Sequence, residues 1–89
     1  MPEVLEQLKQ KYIKSFVQKH NDLQSAWEEK DFTQVEYLLH KLAGSSGSYG
    51  FSQLNHLCTQ AETAIKENHH INDESFTNLM NNILKQLKL

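Results

Sequence analysis

The sequence predicts an all-α protein: an antiparallel up-and-down bundle of four helices that forms a single domain over residues 1–89. Apolar residues recur at helical spacing along the chain, and the alternation typical of strands is absent. Gly and Pro occur only at position 2 and between positions 44 and 50, so most of the chain is free to be helical. Because the intervening turns are short, sequential helices are expected to run antiparallel.

The first helix is expected to begin at Pro2, where the missing N–H costs nothing, and to end near Lys30. It can bend around His20–Asp22. Its apolar side consists of Leu5, Leu8, Tyr12, Phe16, Leu23 and Trp27. Asp31 is then a predicted N-cap, and Gln34 three residues later completes a capping-box pattern.

The three remaining helices follow from the same periodicity. Gly50 ends the second helix, whose inward residues are Val35, Leu38, Leu39, Leu42 and Tyr49. The third helix begins near Phe51 and buries Phe51, Leu54, Leu57, Cys58, Ala61 and Ile65. A polar turn at His69–Asn72 leads to the fourth helix, which Asn72 or Asp73 caps. The last apolar stripe is Phe76, Leu79, Met80, Ile83, Leu84 and Leu87.

Composition argues against several classes of function. The formal net charge is −2, and all nine basic residues are scattered Lys, so no guanidinium fork can read bases or phosphates and nucleic-acid binding is not expected. The single cysteine, Cys58, excludes an intramolecular disulfide and fits a reducing compartment. No apolar run approaches the roughly 20 residues that cross a bilayer, so no membrane association is expected. The sequence therefore predicts a cytoplasmic monomer.

Four of the five histidines have ordinary explanations. His69 and His70 lie in a polar turn, where solvated side chains are more common than a metal site. His56 and Cys58 are two residues apart on a helix, so they face different directions and cannot bind one metal together. Cys58 itself fits a small core residue better than a nucleophile. His20 has no evident partner in the sequence.

His40 differs because of its direction on the second helix. At about 100° per residue it lies roughly 150° from the mean apolar direction, on the solvent side. Gly44 and Gly47 follow on or near the same face, although glycine inside a helix costs on the order of 1 kcal/mol relative to Ala. Residues 44–50 fit either a flexible loop or a flat helical face through which a second protein reaches the imidazole. The angles alone do not choose between the two.

The run HKLAGSSGSYGF at positions 40–51 resembles the signature of the histidine-containing phosphotransfer (HPt) domain, written H-x-L-K/A-G-S-[SA]-x-x-x-G. The resemblance covers about Tyr12 to Ile65 and, more loosely, the whole chain. It implies that His40 accepts a phosphoryl group from a receiver-domain aspartate and passes it to another receiver. The implied partners are response-regulator receiver domains and a hybrid histidine kinase.

A neutral imidazole, with an ordinary pKa of about 6.5, can attack an aspartyl phosphate and form a phosphoramidate. The segment GSSGSYG contains no G-K-[ST] and follows no strand, so we expect no nucleotide cradle. The resemblance thus implies a phosphocarrier that is not an enzyme, with no bound cofactor or metal. Mg²⁺ would be supplied by the receiver domain.

The supporting surface around His40 is predicted to comprise Tyr37, Lys41, Ala43, Gly44 and Gly47. Many relatives carry Lys where this chain has Ala43, which leaves Lys41 as the nearest alternative source of positive charge. Some relatives also place a Gln near the ring from the next helix. The corresponding position here is Glu62, at the boundary of the apolar stripe, and it receives no role from the sequence.

Two other functions are also compatible with the sequence. The chain could be the phosphoacceptor domain of a chemotaxis-type histidine kinase, which is phosphorylated by an ATP-binding domain rather than by a receiver. It could also be a helical adaptor that is never phosphorylated and in which His40 is incidental.

Overall fold

A computed structural model describes residues 2–67 and 73–88 of the chain. Within these ranges the only regular elements are five helices: α1 (Pro2–Lys14), α2 (Phe16–Glu28), α3 (Phe32–Ser48), α4 (Ser52–Lys66) and α5 (Glu74–Gln86). Each helix contacts the next one along the chain, the α3–α4 contact is the most extensive, and α2 also contacts α5. The predicted all-α class is confirmed, and the helices pack as a bundle.

The first predicted helix is divided at Ser15 into α1 and α2, so the bend predicted at His20–Asp22 is wrong. The hydroxyl of Ser15 donates a hydrogen bond to the carbonyl of Tyr12, and the backbone N–H of Ser15 donates to Tyr12 and Lys11. A serine that bonds back to the preceding turn competes with the helical hydrogen bonds and bends a helix. The residues around His20 lie in the uninterrupted helix α2.

The predicted apolar side of the first helix is only partly correct. Tyr12, Phe16 and Leu23 are buried, but Leu5 and Leu8 are 67% and 43% exposed. The reason is that α1 packs through its C-terminal part, where Tyr12 contacts Phe16 of α2, Ser45 of α3 and Tyr49. The N-terminal turns of α1 therefore have no neighbour against which to bury their leucines.

Helix α2 ends, and α3 begins, through two adjacent capping features. Lys30 adopts a left-handed conformation, with φ of 57°. Its backbone N–H donates to the carbonyl of Trp27, and the backbone N–H of Asp31 donates to the carbonyl of Ala26. This is the Schellman pattern, in which glycine is the usual left-handed residue. The Asp31 carboxylate then accepts the backbone N–H of Gln34 at 3.2 Å, which confirms the predicted N-cap of α3.

Helix α3 is continuous through Gly44 and Gly47, so a flexible loop over residues 44–50 is wrong. The helix ends in a second Schellman pattern, in which the backbone N–H of Gly50 donates to the carbonyl of Gly47 and that of Phe51 donates to the carbonyl of Ser46. Gly50 has a φ of 83°, which confirms that it stops the helix as the sequence predicts.

The core lies where the helical stripes meet. Its buried apolar residues are Tyr12, Phe16, Leu23, Ala26, Val35, Leu39, Leu42, Ala43, Leu54, Cys58, Ala61, Phe76, Met80, Ile83, Leu84 and Leu87. The partly buried residues packed against them include Trp27, Leu38, Tyr49, Phe51, Leu57, Ile65 and Leu79. Asp73 caps α5 by accepting the N–H of Ser75, whereas the predicted polar turn at positions 69–72 lies outside the described residues.

The left-handed residues at the two helix ends, Lys30 and Gly50, predict opposite effects of substitution. Lys30→Gly should stabilise the protein by roughly 0.5–1 kcal/mol, because a left-handed non-glycine residue costs about 1–2 kcal/mol and the flexibility of glycine offsets part of that gain. Gly50→Ala should destabilise it by about 1 kcal/mol. Urea unfolding followed by circular dichroism measures both. A loss of stability in Lys30→Gly would contradict the strain assigned to this position.

Candidate functional site

His40 lies on the exposed side of α3, as its helical angle predicts, and 71% of its side chain is accessible to solvent. It borders an open groove of about 350 Å³ between α3 and α4. The residues that line this groove, which we call the His40 groove, are Thr33, Glu36, Tyr37, His40, Glu62 and Lys66. The imidazole is therefore accessible from solution while one of its sides faces α4.

Glu62 fixes the orientation of the imidazole. Its Oε2 lies 2.8 Å from Nδ1 of His40. A carboxylate can only accept a hydrogen bond, so Nδ1 carries the hydrogen and donates it. In the neutral ring the lone pair then resides on Nε2, for which no hydrogen-bond partner is found in the described part of the chain. Of the two ring nitrogens, Nε2 is therefore the one with a free lone pair.

Glu62 reaches the ring because of its place on α4. Ala61, the preceding residue, is completely buried, and Glu62 lies at the edge of the same stripe with 11% of its side chain exposed. The nearly buried carboxylate is compensated by two donors, since Lys66 Nζ lies 3.1 Å from the oxygen that accepts Nδ1 of His40. One oxygen atom thus joins the imidazole to an ammonium group.

Contacts between the backbone of α3 and the side chains of α4 hold this arrangement in register. The Asn55 amide donates to the carbonyl of Ala43 at 2.6 Å. A Cβ at Gly47 would lie 3.1 Å from Nδ2 of the same Asn55, closer than most side chains tolerate. Gly47 therefore makes room for Asn55, and it lies on the exposed side of α3.

Ala43 is not part of the exposed surface, so its prediction as a supporting surface residue is wrong. It is 8% exposed and belongs to the core. The inward face of α3 extends beyond its large apolar side chains, since both Ala43 and Ser46 are also buried on it. The methyl group of Ala43 is too short to reach the solvent side of α3 from this buried position.

The other predicted surface residues share the exposed side of α3. Tyr37 is 55% exposed, and Lys41 Nζ lies 5.2 Å from the centroid of its ring, a cation–π distance. A Cβ at Gly44 would meet nothing within 4 Å, so the surface there is flat and open. These three residues, Tyr37, Lys41 and Gly44, are called the α3 patch below.

Lys41 also borders a second groove, of about 210 Å³, between α2 and α3. Lys19 lines the same groove, where it donates to Ser15 Oγ at 2.8 Å. Burial lowers the pKa of Lys19, and the nearby positive charge of Lys41 lowers it further. Lys41 thus borders the α2–α3 groove while its Nζ lies over the Tyr37 ring, whereas Glu62 and Lys66 belong to α4.

The remaining sequence candidates do not join this site. His20 has Nδ1 3.4 Å from Asn21 Oδ1, His56 is exposed on α4, and Cys58 is buried in the core. Across residues 2–67 and 73–88, no three His, Cys, Asp or Glu side chains gather as a metal site. His69 and His70 lie outside the described residues. No described helix has the length and apolar character needed to span a membrane.

The sequence did not assign a role to Glu62 or Lys66. A signal was present, because Glu and Lys four residues apart form a favourable pair on a helix. That spacing gives no information about a third residue on another helix. Only the packing of α4 against α3 places the pair beside His40.

Comparison with known proteins gives one result. A family model described as the Hpt domain matches residues 2–88, which is nearly the whole chain. No curated protein and no solved structure matches the chain.

Cys58 provides a test of core packing next to the site. Burial raises the pKa of its thiol to about 12, and the negative charge of Glu62 contributes. At pH 8 the native protein should therefore react with an aromatic disulfide reagent only as fast as it unfolds. Thr59→Cys adds an exposed thiol on the same helix and should react rapidly with one equivalent. Rapid labelling of Cys58 itself would contradict the packing of α4 described above.

Proposed function

This chain belongs to the Hpt domain family, whose members are phosphocarrier modules of histidine phosphorelays, and on that premise we propose that His40 is its phosphoacceptor. The proposed function is to accept a phosphoryl group from the aspartate of one receiver domain and to pass it to another. The observation that carries the proposal is the His40–Glu62 contact, which anchors Nδ1 and leaves Nε2 open to solvent.

The proposed transfer balances without any proton leaving the ring. The Nε2 lone pair attacks phosphorus, the N–P bond forms, and the P–O bond to the aspartate breaks so that a carboxylate departs. Nδ1 keeps its hydrogen, bonded to Glu62, and the phosphorylated ring is cationic. In the onward step a carboxylate oxygen of the second receiver's aspartate attacks phosphorus, the new P–O bond forms, the N–P bond breaks, and the ring departs as a neutral imidazole. Glu62 thus favours the protonated ring, which is the better leaving group.

In this proposal the partner supplies Mg²⁺. Phosphoryl transfer depends on in-line positioning and on neutralising the charge of the phosphoryl oxygens, commonly by a divalent cation. The nearest carboxylate, Glu62, is already engaged by the His40 ring and by Lys66. The acidic pocket that holds the metal is therefore assigned to the receiver domain, which also carries the phosphorylated aspartate.

The receiver is proposed to dock on the α3 patch. Long-range attraction is not expected to drive docking, because the acidic pocket and this chain, with a formal charge of −2, are both negative. Contact with the exposed Tyr37 ring and the flat surface at Gly44 would then supply most of the affinity. Lys41 would mainly affect the association rate, as charges at the rim of an interface do.

The finer architecture is part of the same proposal. Sequential helices that contact each other through short connections are expected in antiparallel up-and-down order. The domain is proposed to act as a monomer, because the face that carries His40 must stay open for a receiver.

His40→Gln should abolish phosphoryl acceptance and leave the protein folded, because the side chain is exposed and the lost hydrogen bond to Glu62 costs roughly 1–3 kcal/mol. Intact-mass measurement after incubation with a phosphorylated receiver tests acceptance, and circular dichroism tests folding. His56→Gln, an exposed histidine on α4, is the matched control and should accept normally. Phosphoryl uptake by His40→Gln would overturn the assignment.

The same assay separates the proposed carrier from the phosphoacceptor domain of a chemotaxis-type kinase. Incubation with an ATP-binding kinase domain and ATP replaces the phosphorylated receiver. Uptake from the kinase and none from any receiver would favour the chemotaxis-type alternative, and no uptake from either would favour an adaptor.

Gly44→Leu should block transfer without destabilising the helix. The added side chain meets open space, and Leu is the better helix former by roughly 0.5–1 kcal/mol, so the melting temperature should be unchanged or higher. Asn81→Leu adds an exposed Leu on α5, away from the patch, and should transfer normally. Normal transfer by Gly44→Leu would exclude the α3 patch as the docking surface.

A further inference from the structure

Phosphorylation would place about two negative charges in the His40 groove, which already contains two carboxylates. Glu62 contacts the imidazole directly, and Glu36 lines the same groove one helical turn before His40. Both carboxylates would repel the phosphoryl oxygens. A cation close to Nε2 would offset this repulsion and so stabilise the phosphorylated form.

Among the described residues that line this groove, Lys66 is the one with a cationic side chain. Its Nζ contacts the oxygen of Glu62 that also accepts Nδ1 of His40, so the ammonium group lies next to the ring. The side chain is 56% exposed and its stem is flexible. An ammonium group has three N–H donors, so contact with Glu62 leaves others for a second anion.

We propose that Lys66 is the residue that binds the phosphoryl group on His40, shifting from Glu62 toward the phosphoryl oxygens when the imidazole is phosphorylated. This inference rests on the proposed phosphorylation of His40. No bond to Lys66 forms or breaks, and the ammonium group stays protonated throughout. Glu62 keeps the Nδ1 hydrogen bond, so the ring remains anchored while the cation moves.

Lys41, the nearest cation in sequence, is less suited to this role. Its Nζ lies over the ring of Tyr37, on the solvent side of α3. It also borders the α2–α3 groove, where Lys19 is its neighbour. Lys66 instead approaches from α4 and already contacts the group that holds the ring. The phosphoryl-binding cation is therefore assigned to α4, whereas His40 lies on α3.

The assigned role predicts a longer lifetime of the N–P bond. The transition state for transfer to water is loose, with less negative charge on the phosphoryl oxygens than the ground-state dianion carries. An ammonium group pairs more strongly with the dianion, so it stabilises the ground state and slows hydrolysis. An exposed pair of this kind changes the rate by about two- to fivefold.

The test uses phosphoramidate as the donor, so that docking to a receiver does not enter. The full chain is phosphorylated, the modified histidine is identified by mass mapping at neutral pH, and loss of the phosphoryl group is followed after the donor is removed. Lys66→Gln should shorten the lifetime about two- to fivefold, and Lys66→Arg should restore most of it. Added salt should shorten the lifetime of the wild type and affect Lys66→Gln little.

Lys85→Gln is the matched control, because it removes an exposed charge from α5 and should leave the lifetime unchanged. Lys41→Gln tests the alternative cation, which is the one nearest to His40 in sequence. A shortened lifetime in Lys41→Gln together with a normal one in Lys66→Gln would overturn the proposal and assign the role to Lys41.

A double variant separates direct binding from an effect through Glu62. Glu62→Gln retains an acceptor for Nδ1 but removes the charge that pairs with Lys66. If Lys66 binds the phosphoryl group, Lys66→Gln should still shorten the lifetime in the Glu62→Gln background. If Lys66 acts only by placing Glu62, the second substitution should have no effect, and the proposal would be wrong.

The outcome also distinguishes this inference from the proposed function. A wild-type chain that acquires no phosphoryl group on His40, from phosphoramidate or from a receiver, would overturn both. Phosphorylation of His40 with equal lifetimes in the wild type and Lys66→Gln would leave the carrier function intact and overturn only the role of Lys66.

Discussion

Close packing of α3 against α4 is the constraint on which the rest of this structure depends. Small side chains at the contact, Ser46, Cys58 and Ala61, are completely buried, and helices with small residues between them can approach closely. The Asn55 amide binds an α3 carbonyl, and the missing side chain at Gly47 gives it room. The position of α4 along α3 is therefore fixed by several independent contacts.

The chemistry of the site follows from that register. The proposed nucleophile lies on one helix, while the carboxylate that selects its tautomer and the ammonium group beside it lie on the other. A shift of α4 by one residue would turn Glu62 by about 100° and remove it from Nδ1. A glycine-containing helix can thus support a precisely oriented imidazole, because the orientation comes from tertiary packing rather than from the backbone around His40.

An aromatic cluster supports the C-terminal end of α3. The Tyr12 ring stacks on Tyr49 at 4.4 Å between centroids and meets Phe16 edge to face. Its hydroxyl shares a hydrogen bond of 2.6 Å with Ser45 Oγ. Burial raises the pKa of Tyr12, and the bond to Ser45 offsets part of that rise. These contacts attach the junction of α1 and α2 to the segment that follows His40, where α3 stays helical through Gly44 and Gly47 up to Ser48.

The sequence by itself determined features whose causes are local. Asp31 and Gly50 limit α3 through hydrogen bonds and dihedral angles within a few residues, and the exposure of His40 follows from its angle on a single helix. Other features depend on distant neighbours. The exposure of Leu5 reflects an absent packing partner along α1, and the burial of Ala43 reflects the width of the face that α4 covers. Glu62 joined the candidate site only through the packing of two helices, because helical periodicity describes each helix alone and contains no information about the distance between side chains of different helices.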